Sequence, residues 1–416
     1  MGEKFILKEG VELGLFDDGS KEQFYLISYG KRNWKVSESV YQVCRVLERE
    51  LDLEEVSLRV CEGSSTVFST EFIENVLKFL KLNGLIKGYE TSQSKRKNKM
   101  LWGRITLLPE SVLCNLRIFD FIYNKYFFLL VGILAVLWSF WICLSNSSSS
   151  VAKLFSELDF LNILVCYGYI MLFGIIHEFG HVIALLKYNE KPGRIGAGVY
   201  LFMPVFFSEV TKAWKIKRVG RLCVDIGGVY LQSLMLMLTY FFNLMFIKSQ
   251  VLTTAILLST FQIFSNFNPF IKMDGYWILC DALGVTNVYT IIYELFISLF
   301  QVKKSQRLEM RGLTKRKKVF LYSYMIVISY FMIYFIRIIL SSSNVAMRVV
   351  KKDINTLVSG QFSMSGVQVL DIFNYISNRL SSLIMIIFIL RLFFMLIQRV
   401  ISLFLKKVRY RQNESN

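Results

Sequence analysis

Six long apolar runs, at about residues 126–144, 162–186, 223–247, 251–270, 319–340 and 380–400, restrict what this chain can fold into. Each is close to the length, about 20 residues, at which a helix crosses a bilayer. In hydrocarbon a backbone must satisfy its own polar groups, so such runs fold as helices. Composition agrees: 54% of residues are hydrophobic, 15% aromatic and only 19% charged, with Phe alone occurring 36 times. The net charge of +18 could mark a nucleic-acid surface. Here Lys and Arg gather in short segments beside the apolar runs, which is a topology signal, and no nucleic-acid partner is expected.

The basic segments are 87–104, 187–221, 303–318 and 406–411. The stretch after the first run, "SNSSSSVAKLFSELD", is not basic, and "KSQ" alone joins the third and fourth runs. Positive-inside counting then places both termini in the cytoplasm of a multi-pass protein of the cell membrane. The seven cysteines (44, 61, 114, 143, 166, 223 and 280) are scattered without paired spacing, which fits a reducing compartment. The first residues, "MGEKFILKEGVELG", do not read as a secretory signal.

Four regions follow. Residues 1–90 read as a small soluble α+β domain of winged-helix size. "EQFYLISYGKRNWKV" predicts a hairpin around Gly30, "SESVYQVCRVLERELDLEEVSLRVC" a helix behind a Ser/Glu cap, and "STEFIENVLKFLKLNGLI" a helix ended by Gly84. Residues 91–125 read as a basic linker leading into the membrane. Residues 126–285 hold the first four runs, and 286–416 the last two with a basic tail. Arg391 interrupts the sixth run, where a charge must snorkel or face the bundle.

The second run contains "FGIIHEFGHVIALL", with His177, Glu178 and His181, and the chain has no other histidine. Positions i and i+4 share a helix face, so both imidazoles can point into one volume. That spacing suits tetrahedral zinc, and Glu178 stands one residue along, where a carboxylate can take a proton from water and return it to a leaving amine. Ionisable groups inside lipid are costly and tend to be functional. A third protein ligand must come from elsewhere and cannot be histidine. The fourth run ends "SNFNPFIKMDGYW", which brings Asp274 to the same cytoplasmic depth as His181. Asp274 reads either as that ligand or as a carboxylate in an ordinary turn before Gly275. Asn268 and Pro269 break the helix there and free backbone to line a cavity. Between the second and third runs, "GRIGAGVYLFMPVFFSEVTKAW" reads as a hairpin; its extended edge either accepts a substrate strand or sits at the headgroups.

HEFGH in a membrane run, followed about 90 residues later by "NP…DG", resembles the site-2 protease family of intramembrane zinc metalloproteases over residues 126–285. "NPFIKMDGYW" is closest to its peptide zinc metalloprotease branch, found beside bacterial peptide-modification and export systems. The resemblance implies one zinc per chain, bound by His177, His181 and Asp274, with Glu178 as general base. It makes Gln232 (in "DIGGVYLQSLM", where the family often has Asn) a substrate-binding candidate, beside Asn268 at the helix break and the Gly198–Val199–Tyr200 edge of the hairpin. The helices of residues 1–90 resemble the PqqD-like recognition elements of ribosomal-peptide modification, which bind a leader peptide by strand addition.

The expectation is therefore a polytopic helical membrane protein of about six spans with an N-terminal winged-helix-like domain. It would be a zinc endopeptidase cutting a peptide precursor or small membrane protein near the cytoplasmic face, in contact with membrane lipid and with a leader peptide at the N-terminal domain. Two other readings stand beside it: a signalling protease that releases a membrane-held regulator, and a non-hydrolytic metal-containing immunity or export protein.

Overall fold

Alternating β-formers build the first sheet. In the computed structural model, β1 (Val11–Phe16), β2 (Phe24–Tyr29) and β3 (Arg32–Ser37) form an antiparallel meander. Its tight turn is at Gly30, whose φ of 59° favours glycine. The structure describes residues 4–17, 19, 23–62, 68–90, 101–145, 160–200, 203–269, 273–285, 287–289, 291–292, 313–331, 333–334 and 336–337. The sixth run with Arg391, and Ser147–Ser150, lie outside these residues.

Three helices close over the sheet: α1 (Glu38–Val46), α2 (Leu53–Glu62) and α3 (Thr70–Leu82). The sequence suggested one helix where α1 and α2 stand. The chain breaks between them because Asp52 and Glu55 make a reciprocal capping box, each side chain accepting from the other's main-chain N–H at 2.9–3.0 Å. Ser37 starts α1 without a side-chain cap bond, whereas Ser69 Oγ accepts from Phe72 N at the start of α3. Gly84 (φ 66°) ends α3 as expected. The core beneath is an apolar cluster, with Ile27, Val43, Leu47, Val56, Ile73 and Leu80 all fully buried.

The stretch read as a linker contains a strand. β4 (Leu101–Leu108) pairs antiparallel with β5 (Ile195–Tyr200), and β5 pairs with β6 (Met203–Ser208), giving a second sheet in the order β4-β5-β6. Local pattern hid β4, because its partner lies about 90 residues downstream. A helical turn at Glu110–Leu113 and a 3-10 stretch at Cys114–Tyr123 then lead to α4 (Lys125–Ser145).

The protein is mostly helical. α5 (Phe160–Lys187) and α6 (Arg218–Phe242) follow, then a π-helical turn at Asn243–Ile247, α7 (Gln250–Asn266) and α8 (Asp274–Leu283). Among the described residues three helices are long and apolar enough to cross a membrane: Lys125–Ile142, Leu161–Lys187 and Arg218–Ile247. The fourth run appears as the 17 residues of α7, and the described part of the fifth holds a helix over 315–331. α4 exposes Leu129, Leu130, Ile133, Leu134 and Leu137, an apolar surface suited to lipid.

The turn between α6 and α7 is closed by a single side chain. Asn243 accepts from Ser249 N at 2.9 Å and donates to Ser249 O and Thr253 Oγ1, while Lys248 takes the left-handed conformation (φ 53°). By packing, the chain divides into Met1–Leu134, Phe173–Leu234 and Asn266–Tyr324 on one hand, and Ala135–Leu172, Met235–Ser265 and Met325–Asn416 on the other. Both sheets and all the candidate site residues belong to the first unit.

Candidate metal centre

His177 and His181, one turn apart on α5, are 6% and 7% exposed. Asp274 is the first residue of α8, and its carboxylate completes a group whose ligand atoms all lie within 4.8 Å of one another. Asp274 Oδ2 is 2.8 Å from His177 Nε2, and Oδ1 is 3.5 Å from His181 Nε2. The two Nε2 atoms are 3.1 Å apart.

The outer ring nitrogens determine what these contacts are. His177 Nδ1 lies 2.9 Å from Gln232 Oε1, and His181 Nδ1 lies 2.7 Å from the Val224 carbonyl. A carbonyl oxygen can only accept, so each Nδ1 carries the proton and each Nε2 presents a lone pair. Three groups able to act as acceptors thus face one another, and Asp274 Oδ2 is buried with nothing but the imidazole nitrogens to face. Protonating both rings would instead set two cations against each other. A divalent cation resolves the conflict, and a donor set of two imidazoles and one carboxylate, with the rings held from behind, suits zinc.

Space for an ion depends on glycine. A Cβ at Gly228 would lie 2.7 Å from His177 Nε2 and closer still to His181 Nε2, so any side chain there would fill the centre. Gly227 and Gly180 let α6 and α5 touch backbone to backbone: a Cβ at Gly180 would stand 2.8 Å from Gly228 Cα, and one at Gly227 would stand 2.8 Å from Gly180 O. Tyr123, 1% exposed, closes this crossing from below. Its hydroxyl is 2.8 Å from Gly180 O and 3.0 Å from Gly227 O, so one donor is shared between the two helices. Gly275 has a similar role on the other arm, where a Cβ would stand 2.6 Å from Phe267 Cα and closer still to its carbonyl.

The structure therefore brings His177, His181 and Asp274 together, with Glu178 half-buried on the next position of α5. The other candidates differ in placement. Gln232 is fully buried and its Oε1 serves His177, so it orients a ring. Asn268 is buried just beyond the end of α7. Gly198, Val199 and Tyr200 lie on the central strand β5, whose backbone is paired on both sides. The open edges of that sheet belong to β4 and β6. Phe206 of β6 packs its ring on α5 at Gly174, one turn before His177, where a Cβ would be 3.1 Å away.

At the base of the hairpin, Gly193 N donates to Glu209 O at 2.7 Å and Glu209 N to Arg194 O at 3.0 Å. The Glu209 side chain accepts from Lys31 and from Arg194 Nε (3.0 Å). Burial alone would raise its pKa, but these two cations hold the carboxyl below its ordinary value. Sequence reasoning did not find Val224, Gly228 or Tyr123. "DIGG" offered a signal for the glycine; a backbone carbonyl and a core tyrosine leave none.

Over 164 residues the chain is 23% identical to "Putative peptide zinc metalloprotease protein YydH" of Bacillus subtilis (strain 168). The match takes in 39% of this chain and 64% of that protein, so the chain spans less than two thirds of its relative's length. No family model matches the chain, and no solved structure matches it.

Proposed function

We propose that this chain is an intramembrane zinc endopeptidase. The observation that carries the reading is the convergence of two Nε2 lone pairs and a buried Asp274 oxygen around the space left by Gly228. The likeness to a relative named as a peptide zinc metalloprotease supports the same class. His177, His181 and Asp274 would hold the ion, leaving a fourth position open. Bound there, zinc would make water acidic near neutral pH and polarise the scissile carbonyl. Glu178 would take up the proton from the attacking water and deliver it to the leaving nitrogen. Gln232 and Val224 hold the rings at the correct tautomer throughout.

A peptide bond must be extended to be cut, and the open edge of β6 is the place for it, since Phe206 sets that strand against the ligand helix. The substrate is a peptide precursor or small membrane protein cleaved near the cytoplasmic face, and the protein itself crosses the membrane about six times with both termini cytoplasmic. Three strands followed by three helices in the N-terminal domain support a PqqD-like role, with a leader peptide adding to an open edge of that sheet. Maturation of a ribosomally made, secreted peptide would join the two activities.

Metal content of the purified protein tests the reading. About one zinc per chain is expected in wild type and in Glu178→Gln, with strong loss in His177→Ala and Asp274→Ala. Zinc retained in Asp274→Ala would remove the aspartate from the ligand set, and no metal in any form would end the metalloprotease reading.

A further inference from the structure

A buried arginine outside the ligand set joins the N-terminal domain to the metal centre. Arg221 lies in the first turn of α6, and its side chain is 4% exposed. Its Nε and Nη2 each sit 2.9 Å from Asp281 Oδ1 on α8, two turns after the ligand Asp274. Asp225, one turn further along α6, lies beside Asp281. The remaining N–H groups turn elsewhere: Nη1 donates to Ile216 O at 3.1 Å, and Nη2 to the main-chain oxygen of Asp17 at 2.7 Å. The guanidinium also covers the Phe16 ring at 4.5 Å. Phe16 and Asp17 form the end of β1, the tip of the N-terminal sheet.

The tip makes further contacts of its own. Phe16 stacks on Trp214 with ring centroids 5.4 Å apart, and Asp17 Oδ2 accepts from Arg218 N at 3.2 Å, capping α6 at its first residue. Burying a guanidinium is costly unless its fork is filled, and here it is filled from both directions. One direction is the domain tip. The other is the helix that begins with a ligand, while α6 itself carries Val224, whose carbonyl orients His181.

We propose that the N-terminal sheet domain positions the metal centre through Arg221, the docked Phe16–Asp17 tip fixing the guanidinium that holds α8, and with it Asp274, in place. The proposal rests on the metal site described above. Arg221 touches no ligand atom and acts as a positioning residue. Groups that orient ligands typically change metal affinity about 10–100-fold when removed.

Zinc affinity of the full chain, measured by chelator competition, tests it. Arg221→Gln is expected to weaken zinc binding about 10–100-fold. Phe16→Ala should weaken it in the same sense with every ligand intact; Phe16 is not part of the main apolar cluster of its domain, and circular dichroism of the variant checks that the domain stays folded. Combined with Asp281→Asn, Phe16→Ala should cost less than the product of the two single losses, because both act through one guanidinium. Lys31→Ala, which releases the same domain at Glu209, should leave zinc affinity unchanged. Wild-type affinity in Phe16→Ala, or independent losses in the double variant, would overturn the proposal while leaving the zinc site standing. Absence of zinc from the wild type would remove the metal reading itself, and this proposal with it.

Discussion

The two interiors of the first packing unit are built on opposite rules. Beneath the N-terminal sheet the packed cluster from Ile27 to Ile86 is apolar, and Ser28 and Asn83 are the buried polar side chains among the described residues of that domain. Around the metal centre the chain buries His177, His181, Gln232 and Arg221. The first interior is held by area removed from water, and any side chain of suitable size and shape serves. The second is held by matched donors and acceptors, where each group is useful only because another answers it. The contrast teaches where this protein tolerates change: in volume at one place, in neither volume nor polarity at the other.

Glu178→Gln would separate the two interiors most sharply. It should lower peptide cleavage about 10²–10⁴-fold while leaving unfolding and zinc content as in wild type; cleavage assayed beside metal content decides it, and near-normal turnover would remove Glu178 from the chemistry. Leu47→Ala should act in the reverse sense. It should destabilise the N-terminal domain by about 2–5 kcal/mol, read as a lower thermal transition, with zinc retained below that transition. Gln232→Leu keeps the volume but removes the acceptor for His177 Nδ1, so zinc affinity should fall about 10–100-fold by chelator competition. Unchanged affinity would mean that the ring needs no such partner.

Glycines sharpen the comparison further. Gly228→Ala puts a methyl among the ligand atoms and should expel zinc, whereas Gly14→Ala on β1 meets nothing within 4 Å and should leave metal content untouched. The smallest effect is expected at Glu209. Its carboxyl is held below the ordinary value of 4.5, so its contribution to stability is complete above that value and disappears as pH falls through the lower folded value. The gap in thermal stability between wild type and Glu209→Gln should therefore be flat from pH 7 to about 5 and narrow only in stronger acid. A gap that widened on acidification would have the wrong sign.

Periodicity made local elements legible: the hairpin at Gly30, α3 with its Gly84 stop, and the long helices α4, α5 and α6. The i, i+4 spacing likewise placed both imidazoles on one face, because a helix carries that geometry within itself. Partners separated along the chain were harder to read. β4 waits for β5 about 90 residues on, so nothing beside Leu101–Leu108 announces a sheet. Gln232 stood out as polar in an apolar run, yet only its distance to His177 shows which group it serves. Arg221 read as one more cation of a basic segment, although it is among the most deeply buried charges described. Charge counts register sign and position, and burial is a property of the fold.

The Asn243 turn has a consequence for how the membrane part is made. One amide side chain satisfies the turn's own backbone, and the neighbouring Phe242, Leu244, Met245, Phe246 and Ile247 are exposed and apolar. Lys248 at the same turn is exposed, and its ammonium carries the tip to water or to the headgroups. α7, at 17 residues, rises only about 25 Å, less than the hydrocarbon thickness. α6 and α7 thus make one hairpin whose turn is closed from within, and a bilayer around α7 would have to thin to match its length.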